Sequence, residues 1–558
     1  MHNLLLLSAI LCSFLENSIA QSLLPDHEWI GTGRVSARIN ANGALVSDFL
    51  IPDDGGDSLI STIGEISVWM GGVDPAGNLY LGIQRPDTAA SDFRGGFRGI
   101  PESAGVWKVT QKEIDQHIKD FEEDGDIDVQ IPSIFAWPGY KNVFSPALNG
   151  FSLDSAPKNV TAAFADIDFD GIYEPGQGEH PFLDYVINNI ERRPTEMAFT
   201  PFYTKDNLGN DLVAMNCSAL FYSYDCDDAT FLEDAVFGYV TINNVGPERL
   251  DSVFLSFYIN GNIGSASDDY MGTLPGSSIV YFYNADTVEG GGFTGHPPVV
   301  AFDFYSGLLD TNGTSTGVYS VMPVHPVNDE PPPFPGTMPP QLPAEYYHYM
   351  TGTWRDGSPL TTGGTGYQAG GQDVFFPFTG VPDKPNDWSE ISADNPPGDR
   401  RAVLSNGPVT MKPGFYNRAL FTLENVSGGN VSEQVNRLKQ YSETQILFFD
   451  VDFFPPAVSP FDSIACLNTT ATAQPELVPG LLFPNPARSE FTLRTETSGL
   501  HQVELLDILG RTLTLRQNLP GGTQEISIPV EGLPAGLYFI QWEMWDGKRG
   551  SGKILIAK

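Results

Sequence analysis

Glycine or proline interrupts this chain so often that long helices have little room: 58 glycines and 44 prolines fall within 558 residues. Glycine loses the most backbone freedom on ordering, while proline removes an amide donor and clashes with the turn before it. Both suit turns, so the punctuation predicts short strands joined by tight or looped connections. With 41% hydrophobic, 12% aromatic and only 18% charged residues, the chain is apolar enough to pack. Its length leaves room for several domains. A mostly β, β-sandwich-rich fold with few helices is expected.

Acidic residues outnumber basic ones 69 to 30, for a formal charge of −39. Such a surface repels phosphate backbones and anionic lipid, so no nucleic-acid partner is expected. Leu4 to Leu15 is an apolar run of signal-peptide length, too short to span a bilayer, and Ser18-Ile19-Ala20 forms a small-residue cleavage site after it. Residues 1–20 therefore read as an export leader, and no later run is long enough for a transmembrane segment. Cleavage would remove Cys12 and leave Cys217, Cys226 and Cys466. In an oxidising compartment Cys217 and Cys226 are spaced to close a short loop and leave Cys466 free, a pairing the sequence leaves open.

Residues 21–465 read as a β-rich extracellular cargo region of two or more subdomains. Two helices are expected within it. One runs from Thr110 to Phe121, with Ile114 and Ile118 on one face and Thr110 and Glu113 as a capping box; the other runs from Val431 to Leu447, with Asn430 as cap and Glu433 at the third position. The proline-rich stretch Pro323 to Pro343 reads as an extended surface loop. Residues 466–480, rich in Thr, Ala and Pro, read as a linker, and 481–558 as a separate small immunoglobulin-like β-sandwich of short alternating strands.

The sharpest chemical signal is Asp166-Ile167-Asp168-Phe169-Asp170-Gly171-Ile172-Tyr173-Glu174, continuing to Gly178-Glu179. Carboxylates at alternate positions, then a glycine that permits a sharp turn, gather hard oxygens around one point, as Ca²⁺ requires. The expected ligands are Asp166, Asp168, Asp170, the backbone carbonyl of Ile172, and a last carboxylate from Glu174 or Glu179. The ion would fix the 166–179 loop rather than catalyse, because it neutralises carboxylates that otherwise repel one another. Asp53-Asp54, Asp124 to Asp128 and Asp268-Asp269 read as solvated acidic loops. Trp69, Trp107, Trp137, Trp354, Tyr346, Tyr347 and Trp388 are candidates for stacking on sugar rings if exposed, and otherwise for the core.

No H-E-x-x-H or G-x-S-x-G motif occurs. Gly547 to Lys553 mimics a phosphate-binding loop, but Ile554 stands where the Mg²⁺-binding hydroxyl is needed. A glycosidase carboxylate pair has no fixed sequence spacing, so a polysaccharide-active hydrolase stays open.

Phe483-Pro484-Asn485-Pro486, Leu506-Asp507-Ile508-Leu509-Gly510-Arg511 and Gly532-Leu533-Pro534-Ala535-Gly536-Leu537-Tyr538, followed by a basic final strand, resemble the type A C-terminal sorting domain of the type IX secretion system of Bacteroidetes. The resemblance covers roughly residues 481 to 558. It implies passage through the inner membrane, recognition by the outer-membrane translocon and sorting machinery, and then release or attachment to surface lipopolysaccharide. Stretches such as Ile66 to Asp74 and Asp399-Arg400-Arg401 resemble recurring motifs of large secreted proteins of that phylum, a group that supplies no chemistry. The expected protein is secreted or cell-surface, its cargo region a calcium-stabilised binding or adhesion module, with a glycan among its candidate ligands. The alternatives are the hydrolase and a structural envelope component.

Overall fold

Two antiparallel sheets, each of nine strands among the described residues, face one another across a shared apolar layer. The structure is a computed structural model. It describes residues 24–449 and 480–556, apart from short stretches at 32–33, 57, 87–89, 169, 184–192, 206–211, 228, 290–291, 327–331, 496–498, 507–511, 517–518, 534–535 and 546–548. The expected leader and nearly all of the expected linker lie outside these residues. Among those described, no helix is long and apolar enough to cross a membrane.

The chain divides into two compact units, with the boundary near residue 447. In the larger unit the first sheet runs in the order His27–Ile30, Ser36–Asn40, Ala44–Pro52, Glu65–Val73, Leu250–Gly261, Arg400–Met411, Val318–Val324. The second runs Asp269–Leu274, Ile279–Asn284, Val299–Ser306, Tyr416–Val426, Ala235–Asn244, Met215–Ser223, Glu196–Thr204, Phe93–Gly95. Alternate residues of each strand point inward, and Phe257, Phe302 and Phe421 meet at the centre with ring centroids 5.0 to 5.1 Å apart.

The opposite faces are also covered. Trp69, Tyr258, Met322 and Val403 on the outside of the first sheet pack with the helix Pro343–Met350 and with Trp354. On the outside of the second sheet, Tyr281, Tyr283, Val299, Ala301 and Val426 receive Val431, Val435 and Leu438 of the helix Val431–Phe449. Central strands are thus buried on both faces, which is why they read as continuous apolar runs rather than strict alternation.

Both expected helices form with their capping boxes. Glu113 and Thr110 bond reciprocally, and so do Asn430 and Glu433. Part of the expected Pro323 to Pro343 loop is structured instead: Val318–Val324 is a strand that runs past Pro323, and a helix starts at Pro343, where a first-turn proline is tolerated and Tyr346, Tyr349 and Met350 gain burial. Cys217 does not pair with Cys226. Its side chain points into the layer between the sheets and stays a free thiol, while Cys226, beyond the strand end, is disulfide-bonded.

The smaller unit holds a three-stranded sheet (Gly480–Phe483, Glu490–Thr495, Glu525–Pro529) and a four-stranded one (Thr512–Arg516, Leu500–Leu506, Gly536–Met544, Arg549–Ile556). Phe491, Leu493, Val503, Leu505, Ile540, Trp542 and Ile554 form its core. From Arg549 on, the stretch that mimics a phosphate-binding loop is itself part of a strand paired to Gly536–Met544.

One buried ion pair joins the two sheets. Arg400, in a strand of the first, makes two 2.9 Å bonds to the Glu390 carboxylate, whose Oε1 also accepts the amide of Met271 in the second. Both side chains are almost fully buried. Replacing Arg400→Met strands a buried carboxylate and should cost about 3–5 kcal/mol; the double change with Glu390→Gln should recover part of that loss. Denaturant midpoints of the purified protein measure both.

Candidate metal centre

Between the paired strands Trp107–Thr110 and Glu196–Thr204 the chain leaves the sheet and builds a cap of short helices and turns. The helix Gln111–Asp124 begins at the Thr110–Glu113 capping box and ends at Gly125 in the left-handed conformation, so His117 and Phe121 face the acidic loop. His117 is fully buried, and its Nε2 lies 3.1 Å from the carbonyl of Glu179. A carbonyl only accepts, so this nitrogen carries the proton; burial holds the imidazole pKa below its ordinary value and keeps the ring neutral. Phe121 lies against Gly178, where φ is +87° and a Cβ would come 2.4 Å from the ring. From the other flank, the Tyr173 hydroxyl donates to Ile134 O at 2.9 Å and its amide to Tyr140 O at 2.8 Å.

Within this frame the acidic side chains organise the loop backbone. Asp166 Oδ2 accepts the amide of Gly171 at 2.9 Å, Asp168 Oδ1 that of Asp170 at 3.1 Å, and Asp170 Oδ1 that of Ile172 at 2.7 Å. Glu179 closes the loop: Oε1 accepts the amide of Ile167 at 2.9 Å and Oε2 that of Glu174 at 2.7 Å. Oxygens of Asp166, Asp168 and Glu179 lie within 4.8 Å of one another, and so do oxygens of Asp168, Asp170 and Glu174. The five carboxylates thus fall into two overlapping groups that share Asp168, with Glu179 inside and Asp168 and Asp170 open to solvent. Ile172 lies half-buried in the same turn, its amide held by Asp170.

The electrostatics are unfavourable without a cation. Asp166 Oδ1 is shielded and has no hydrogen-bond partner among the described residues. Burial raises the Asp166 pKa and repulsion from Asp168 and Asp170 adds to it, against the amide of Gly171 and the charge of Lys158. Burial, with repulsion from Asp166 and Asp168, lifts Glu179 from 4.5 to about 7, even though two amides favour its ionised form. Lys158 reaches the loop: a Cβ on Gly171 would lie 2.4 Å from its ammonium. The donor set is all oxygen, partly pre-oriented, with an open side for entry, and so has the character of a hard-cation site.

The other acidic groups divide. Asp54 ties two loops by accepting from the amide and hydroxyl of Thr294, and Asp124 accepts the amide of Asp126 in an exposed turn. Asp269 differs from the expected solvated loop: it is fully buried and begins a strand, with Oδ2 accepting the amide of Ile263. A further cluster, Asp225, Asp227 and Glu233, escaped the sequence reading because Glu233 joins it from the next turn; Arg34 lies 3.5 Å from Glu233. Of the aromatic candidates, Trp69, Trp107, Trp137, Trp354 and Tyr346 are core residues, and Tyr347 and Trp388 pack partly buried against the core.

Comparison with known proteins speaks to the C-terminal unit. Residues 481–557 match the family described as the secretion system C-terminal sorting domain. The chain therefore carries a type IX sorting domain and is exported to the cell surface or secreted, a route that implies contact with the type IX machinery. No curated protein matches it. Among solved structures, a polysaccharide lyase is similar over 64% of this chain and 35% of its own length, at 9% identity and a TM-score of 0.18. This chain thus spans about a third of that protein.

Because the cation-free fold holds a proton on Glu179 that the unfolded chain releases above 4.5, Glu179 should make this form less stable as pH rises from 4.5 towards about 7, and Glu179→Gln should flatten that slope. Thermal melts in chelator across that window measure it.

Proposed function

We propose that this is an exported surface or extracellular protein whose larger unit is a calcium-stabilised, non-catalytic binding or adhesion module. The carrying observation is the converging carboxylate loop with the shielded Asp166 Oδ1, unpartnered among the described residues. A hard divalent ion there would satisfy that oxygen, neutralise the repulsion that raises Asp166 and Glu179, and lock the loop against the helix through His117. Asp166, Asp168, Asp170, Glu174, Glu179 and the carbonyl of Ile172 would hold it.

Two features favour binding over hydrolysis. The interior is filled by interdigitated apolar side chains, which leaves the loops and sheet margins to present chemistry outward. The formal charge of −39 suits a cationic partner surface, or an acidic glycan bridged by calcium. After recognition by the translocon, the protein would remain attached to surface lipopolysaccharide or be released.

Calcium at a hundredfold excess over its Kd should stabilise the protein by about 2.7 kcal/mol, with the melting temperature falling again in chelator. Asp168→Asn should abolish most of that difference, and unchanged melts would remove calcium from the reading. For the cargo role, a glycan array and a polysaccharide-degradation assay are run on the same purified protein. Retention of a ligand without cleavage is the expected result, whereas release of shortened chains would assign a hydrolase.

A further inference from the structure

The helix Val431–Phe449 meets the second sheet through one stripe: Val431, Val435, Leu438, Ser442 and Gln445. The first three rest on apolar residues of the sheet, whereas Ser442 and Gln445 are polar and fully buried. Beneath them Asp303 stands opposite Thr422 in the neighbouring strand, with Glu424 two residues further along on the same face. Asp303, Thr422 and Glu424 are all fully buried. The boundary between the chain's two units falls inside this helix, after Ile446. The polar end of the seat therefore lies under the turns that lead out of the larger unit.

Asp303 is hydrogen-bonded to Glu424, Ser442 and Tyr305, Glu424 also to Gln445, and Tyr305 to Thr422. Gln445 is anchored further, donating through Nε2 to Phe231 O and accepting at Oε1 from Tyr305. An ionised carboxylate only accepts, so the contact between Asp303 and Glu424 requires a proton on one of them. Burial raises the pKa of both, and the charge of Asp303 raises Glu424 further. The groups around the pair leave it that proton. Burial and repulsion from both acids keep Tyr305 neutral, with Tyr222 acting the same way, and Asp234 adds to the repulsion on Glu424. Arg34 is committed to Asp234 at 2.6 Å, Arg437 of the helix to the carbonyls of Ser427 and Gly428, and Tyr441 to Thr230.

We propose that Asp303 and Glu424 form a proton-operated latch on the helix: sharing one proton they seat its end, and losing that proton they release the end from the sheet. Without the proton, two buried negative charges face one another beneath Ser442 and Gln445. Lifting the end admits water to both carboxyls, which then ionise in their ordinary range. Opening thus releases the shared proton, and rising pH favours it. The first turns behave differently, because Val431, Val435 and Leu438 hold them by apolar burial that pH does not alter. The latch makes the exit of the chain from the larger unit firm in acid and loose in alkali.

Hydrogen exchange on the full-length protein, read peptide by peptide and corrected for the intrinsic base catalysis of exchange, tests the latch. One released proton raises the opening constant about tenfold per pH unit, so protection beyond Ser442 should fall about a hundredfold between about pH 5 and about pH 7. Protection over Val431 to Leu438 should change little. Because the readout is local, titration of Glu179 in the acidic loop cannot be mistaken for it. Glu424→Gln, whose amide donates to Asp303 in place of the shared proton, should flatten the slope at the helix end. A slope that survives in the double variant Asp303→Asn with Glu424→Gln overturns the latch. Should the variants fail to fold, the two halves of the wild-type helix still decide: a fall confined to the end supports the latch, and a fall shared by both halves, or by neither, overturns it.

Discussion

The apolar layer between the two sheets is the constraint on which the rest of the larger unit depends. Phe257 belongs to one sheet and Phe302 and Phe421 to the other, and their contact ties strands far apart in sequence. Because alternate residues alone can face this layer, every central strand must present a second set of side chains outward. The helices Pro343–Met350 and Val431–Phe449 cover those outer sets over part of each sheet. Polar chemistry is thereby pushed to strand ends, connections and the margin of each helix seat.

How the chain treats its acidic excess follows from that layout. Most carboxylates stay in water, where repulsion is screened. Some buried ones are settled individually, Glu390 by Arg400 and Asp234 by Arg34, while two loop amides only partly offset the burial of Glu179. Neutral donors do much of this work because basic side chains are scarce, and an amide can favour an ionised carboxylate without a second charge.

What was legible in the sequence is local. Thr110 with Glu113 and Asn430 with Glu433 announce helix starts because a capping box lies within four residues, and the Asp166-x-Asp168-x-Asp170-Gly171 spacing fixes a turn by itself. The short strands of the sorting domain are legible for the same reason, being set off by turns close at hand. Features that need distant partners were hidden. Nothing near Asp269 signals that Ile263 and the strand pairing will bury it, and the Arg400–Glu390 link to Met271 spans more than a hundred residues. In the acidic loop, that Glu179 reaches back to the Ile167 amide could be seen only in the fold.

The unpaired Cys217 bears on the order of events during export. Its thiol is enclosed between the sheets, and burial pushes its pKa far above the range in which thiolate forms. Before the strand Met215–Ser223 zips against its neighbours, the same sulfur competes with Cys226 for any oxidant it meets. Closure of the sandwich therefore acts as a protecting group: the strand that hides one sulfur leaves the other as the partner that oxidation can find, and faithful cross-linking depends on collapse outrunning oxidation.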